Sequence, residues 1–222
     1  MDVIIVSKTH MASAACVGGV LANGRFVRLL NSEGYNQDSE TNIEVGEVYT
    51  ISFSEREGKT PPHVEDILVH SMTYKFTFES TDKMVEYLKA KLKVKIWKGT
   101  TDVLFDGHLQ WTSGGSGYIS ESGGIPNNSV GFWIPDKDLK RNDFKEKVRY
   151  CYPLRYRSIS YVGFQNPIDI IPAGTLVRVS LARWWSPNDG EERCYLQISG
   201  WYGLPEDSRS GYTYDDDDFT SW

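Results

Sequence analysis

Short apolar runs of strand-like composition recur along the whole chain, and only one stretch has helical spacing. Residues 3–6, 15–21 and 26–30 come first, and Asn23-Gly24 between the last two is a tight-turn signal that joins them as a hairpin. Residues 46–53 and 66–78 continue the strand character, with Pro61-Pro62 punctuating the loop between them. The helix follows: Ser80 or Thr81 can cap it, and Met84, Val85, Leu88 and Leu92 recur at helical spacing, which predicts a helix over 81–92. Residues 93–97 alternate like an exposed strand with lysine on one face, and the Gly- and Ser-rich residues 112–128 read as a long loop. Strands resume at 130–134, 147–152, 159–164, 176–185 and 193–202. Many short strands with regular turn signals and one short helix predict a mainly β protein built of two small tandem barrels, not an alternating α/β enzyme. The division falls near Gly99, giving a first barrel over 1–98, a second over 99–202 and a tail over 203–222.

The tail changes the meaning of the charge. The 222 residues carry a formal −6, which by itself argues against a nucleic-acid partner. Yet Gly203–Trp222 holds −5 of it, leaving the body at −1. Four adjacent carboxylates, Asp215 to Asp218, repel one another and predict a disordered end. With Tyr212, Tyr214, Phe219 and Trp222 around them they resemble single-stranded DNA, charges standing for phosphates and rings for bases. Such a tail could compete for a basic-aromatic face, recruit a protein partner through Asp215–Trp222, or merely solubilise the chain. Cys16, Cys151 and Cys194 are odd in number and widely spaced, so the expectation is buried thiols, with neither disulfides nor a zinc site. No leader pattern and no apolar run of about 20 residues is present, which predicts a cytoplasmic protein without a membrane partner.

Aromatic residues make up 13% of the chain, and they cluster with arginine. In residues 176–185, strict alternation turns Val177, Val179 and Leu181 inward and Arg178, Ser180, Ala182 and Trp184 to the other face. In 193–202, Leu196 and Ile198 point inward and Tyr195, Gln197, Ser199 and Trp201 outward. Paired as a hairpin, these strands would offer phosphate donors and stacking rings on one surface, as a single-strand platform requires. Arg183 joins it only if the strand ends or twists there, and the alternative for the tryptophans is a second core layer. Arg149, Arg155 and Arg157, interleaved with Tyr150, Tyr152, Tyr156 and Tyr161, form a second basic-aromatic stretch. Arg28 completes the candidate phosphate contacts. Lys89, Lys91, Lys93, Lys95 and Lys98 fit protection of an exposed edge better than phosphate binding.

Catalytic signals are weak. His63, Glu65 and Asp66 could form an acid/base centre, but no second histidine stands at ligand spacing, and fixing a loop is the simpler role. Residues 113–117 lack the Lys-Ser/Thr ending of a phosphate loop, and Ser7-Lys8-Thr9-His10 has no partner pattern. No catalytic residue, metal or cofactor is therefore assigned.

Several blocks resemble the dual OB-containing domain family of prokaryotic proteins. They are Ser7-Lys8-Thr9-His10-Met11, Cys16-Val17-Gly18-Gly19, Gly24-Arg25-Phe26-Val27-Arg28 and Pro62-His63-Val64-Glu65-Asp66-Ile67, with the blocks over 173–185 and 193–202 the most specific. The resemblance implies two OB-type barrels in tandem and a non-catalytic recognition module for single-stranded or distorted nucleic acid, associated with bacterial defence and DNA processing. It supplies no agreed catalytic set. The alternatives are a protein-interaction adaptor using an OB groove, and an enzyme or sensor acting on a nucleotide.

Overall fold

The opening strand runs past the first apolar run and takes in Ser7-Lys8-Thr9-His10 as well. The structure is a computed structural model, and it describes residues 1–11, 13–153, 156–186 and 190–203. Its first unit comprises β1 (Asp2–Met11), β2 (Ala14–Leu21), β3 (Phe26–Leu30), β4 (Gln37–Asp38), β5 (Glu47–Glu55) and β6 (Asp66–Thr77). β1, β2 and β3 form an antiparallel meander, β3 pairs parallel with β6, β6 pairs with β5, and β5 returns to β1. These five strands close a barrel, which removes the free edges that short strands would otherwise expose. Val3, Ile5, Val17, Leu21, Val27, Leu29, Ile51 and Ile67 fill one buried cluster inside it.

Helix α1 (Thr81–Ala90) follows, with the Ser80 side chain accepting from Lys83 N as an N-cap. It ends two residues before the predicted limit. Lys93 has a φ of 49°, which interrupts the alternating stretch, and the strand there, β7, spans only Ile96–Gly99. Among the described residues no helix is long and apolar enough to cross a membrane.

The second unit contains β8 (Gln110–Trp111), β9 (Gly117–Ile119), β10 (Val130–Pro135), β11 (Leu139–Arg141), β12 (Arg149–Tyr152), β13 (Arg157–Tyr161), β14 (Ile170–Ile171), β15 (Leu176–Leu181) and β16 (Cys194–Tyr202). The expected long loop over 112–128 thus contains a strand, β9, which pairs with Cys194 and Tyr195 of β16. The main path runs β14-β11-β12-β13-β16-β15-β10-β7, an open sheet and not a second closed barrel. The reason lies between β10 and β11. Pro135 has no N–H for a ladder, Asp136 accepts from Tyr152 Oη at 2.8 Å, and Asp138 accepts from Ala173 N at 2.9 Å. The chain bends there, so β10 pairs with β15 while β11 pairs with β12.

The two units share a core. Ile4, Val6, Val20, Phe26 and Val48 of the first barrel pack with Met84, Val85 and Leu88 of α1 and with Phe132, Leu176 and Tyr202 of the second unit. Main-chain contacts reinforce it: His10 N donates to Val162 O at 3.0 Å. Two irregularities sit at this junction. Val6 is skipped in the β1–β2 register, and Tyr202 Oη donates to its carbonyl oxygen. Ser199 is skipped in the β15–β16 register, and its Oγ donates to Arg178 O at 3.2 Å. Such bulges re-aim the side chains that follow them.

A candidate anion cleft between the two units

The β16 bulge overturns the single platform that strict alternation predicts. Tyr195 and Gln197 remain half-buried on one face of β16, but residues 199–202 are all buried. Trp201 turns into the core of the second sheet, where its ring lies 5.7 Å from Tyr150 and 5.1 Å from Tyr161. Arg178 is buried as well, because the first barrel covers the face of β15 that alternation leaves outside. Arg157 is also buried and spent within the second unit: it pairs with Asp102 at 2.7 Å and stacks over Trp111. Trp184 is half-buried and donates Nε1 to Pro61 O at 2.9 Å, so it ties down a loop and is not a free ring. Arg155 lies outside the described residues, as does the acidic tail beyond Gly203.

What replaces the platform is a cleft of about 80 Å³ between the units. Its first wall comes from β1 to β3 of the barrel, through Ser7, Cys16, Gly18 and Arg28, with His63 and Glu65 from the β5–β6 loop. Its second wall comes from Ser129, Arg178, Arg183, Gln197 and Ser199. Four of the nine sequence candidates, Arg28, Arg178, Arg183 and Gln197, therefore meet, and most blocks that carry the family resemblance meet with them. Gly18 leaves room there: a methyl group on it would displace Ser7 Oγ and come within 3.3 Å of Arg178 Nη2.

Asp66 organises the charge. Its carboxylate accepts from Arg28 Nε and Nη2 at 2.5 and 2.6 Å, from Arg56 Nη1 at 2.9 Å and from Arg183 Nη2 at 3.0 Å. Asp66 is buried, whereas Arg56 and Arg183 keep over 40% of their side chains exposed. Three guanidinium groups on one carboxylate leave a local excess of positive charge that faces solvent, which attracts anions. Arg56 carries no motif that marks it in the sequence; only the fold of the β5–β6 loop brings it here.

The acid/base candidates line the same cleft, but their atoms are engaged. Glu65 accepts from Ser129 N at 2.7 Å and from Ser129 Oγ at 2.8 Å; burial pushes its carboxyl pKa up, and the Ser129 bonds pull it back. His63 Nε2 lies 3.3 Å from Leu181 O and 3.1 Å from Ala182 O, so Nε2 carries the ring proton and donates to them. Burial pulls the His63 pKa down, which keeps the ring neutral. Burial likewise pushes the Cys16 thiol up, with Arg28 pulling the other way, so Cys16 is not an activated nucleophile. No group of three or more His, Cys, Asp or Glu is placed to hold a metal among the described residues.

Beyond the cleft the β16 face continues to an aromatic cluster. Tyr195 lies 6.0 Å from Tyr118 and 6.1 Å from Trp185, and the Arg193 guanidinium stands 4.2 Å over Tyr118. Trp185 is 57% exposed, so the ring that faces solvent is the second tryptophan of the pair, whereas Trp184 is half-buried.

No curated protein matches the chain. The family model of the dual OB-containing domain matches residues 1–201, from the first strand of the barrel to Trp201 of β16, and the chain belongs to that family.

Proposed function

We propose that the protein is a non-catalytic nucleic-acid recognition module that binds a single strand from the cleft outward along β16. The observation that carries this reading is the trio Arg28, Arg56 and Arg183 on Asp66, at a cleft set where an OB barrel takes its ligand. The barrel's β2–β3 face and its β5–β6 loop are the OB positions for oligonucleotides, and both form this wall. On this reading the second unit is the same fold interrupted. Taking β10 and β11 as one broken strand makes its order β10/11-β12-β13-β16-β15, the order of the first barrel. Trp185 and Tyr195 then stack bases beyond the phosphate contacts.

Recognition is favoured over nucleotide chemistry because Asp66 is held by arginines, Glu65 by Ser129 and His63 Nε2 by two carbonyls. The test is fluorescence anisotropy of a labelled single strand between about 50 and 200 mM salt. Three phosphate contacts predict a log–log slope of roughly −2. Arg183→Gln should lower that slope, and a salt-insensitive or absent response would overturn the reading.

A further inference from the structure

We propose that the cleft between the units is a terminal-phosphate pocket, which takes a phosphomonoester at the end of a strand in preference to a phosphodiester within one. The inference rests on the strand-binding reading above and names the part of the strand that enters.

Two buried side chains on the cleft have atoms left over. Arg178 is 2% exposed; its Nε has no hydrogen-bond partner among the described residues, and its Nη1 reaches only Gly131 O, at 3.5 Å. The Phe26 and Phe132 rings stand 5.1 and 5.5 Å from its guanidinium carbon, which favours the cation but accepts no conventional hydrogen bond. A buried guanidinium in this setting calls for anionic acceptor oxygens.

His63 is 3% exposed and lines the same cleft. Since Nε2 spends its proton on the Leu181 and Ala182 carbonyls, Nδ1 is an acceptor, and it too has no partner among the described residues. The cleft therefore asks for acceptor oxygens and a donor on one small group. A phosphomonoester in its singly protonated form has both, because its second pKa is about 6 and its P–OH can donate. A phosphodiester has the oxygens and no proton.

Size agrees. A cleft of about 80 Å³ suits a small terminal group better than a strand passing through. Glu65 is the one carboxylate among the described residues that lines the cleft; it hydrogen-bonds Ser129 and not Arg178, which feels it only at a distance, and Arg28 and Arg183 supply the positive entrance.

The experiment compares four probes on the full chain: decathymidylate with a 5′-phosphate, with a 3′-phosphate and with hydroxyls at both ends, and inorganic phosphate as competitor. One end-phosphorylated strand should bind about tenfold tighter than the hydroxyl-ended one, the worth of one charged hydrogen bond. Inorganic phosphate should erase that advantage. His63→Gln keeps a donor for the two carbonyls and lacks the Nδ1 acceptor, and Arg178→Lys keeps the charge and lacks Nε; each should bring the strands to the same affinity. Equal, salt-sensitive binding of all three strands overturns the pocket and leaves strand recognition standing. An advantage that survives in both variants also overturns the pocket, and no binding of any strand overturns both proposals.

Discussion

Asp66 at the start of β6 grips Arg28 of β3 through two parallel hydrogen bonds of 2.5 and 2.6 Å, across the one parallel pairing of the first barrel. The two residues are also opposite each other in that register. The pair locks the barrel's closing seam and at the same time presents the Arg28 guanidinium to the cleft. One contact thus serves both the fold and the site.

Asp66→Asn should be strongly destabilising, because the buried partner of three guanidinium groups would lose its charge. Breaking a buried ion pair costs about 3–5 kcal/mol, and the more exposed Arg56 and Arg183 pairs add little to that. Urea denaturation of the variant should show the loss as a lower midpoint.

Tyr202→Phe removes only the hydroxyl that bonds the Val6 carbonyl at the β1 bulge. The ring keeps its place in the shared core, and a buried acceptor is left without that donor. The expected loss is about 1–3 kcal/mol, read by thermal or urea unfolding.

His63 makes stability pH-dependent. Its folded pKa lies below the unfolded value of about 6.5, so the unfolded chain takes up the proton first and stability falls as pH drops through that value. Between about pH 7.5 and 5.5 the loss from this group reaches up to about 1.4 kcal/mol. Glu65 acts in the opposite sense, since its raised pKa costs stability as pH rises. It is present in both proteins, so comparing urea midpoints of the wild type and His63→Gln at the two pH values isolates the histidine.

The adjacent tryptophans should separate. Trp184→Ala gives up the bond to Pro61 O and packing against the second core, so its effect appears in melting temperature. Trp185→Ala touches an exposed ring and should leave the melt unchanged while weakening strand binding by about 1–3 kcal/mol. The reverse pattern in paired melting and anisotropy measurements would place the stacking ring at Trp184.

Local pattern made much of this molecule legible. Period-two alternation, the Asn23-Gly24 turn and the Ser80 cap depend on neighbours in sequence, and β2, β3 and α1 lie close to where those signals put them. Separated family blocks also announced the fold family, and Arg28, Arg178, Arg183 and Gln197 among them do line one cleft. Alternation failed where a residue's surroundings come from far along the chain. The skipped Ser199 turns Trp201 inward, and the covering barrel buries Arg178, although each residue sits in a strand that the pattern finds. Arg56 had no local signal at all; loop closure alone brings it to Asp66. The sequence by itself determined the longer strands, the β2–β3 hairpin and the mainly β class of the fold, because side-chain period and turn chemistry are short-range. Only the tertiary structure decided which face of each strand meets solvent and which charges share a carboxylate, because burial and ion pairing depend on how the two units pack.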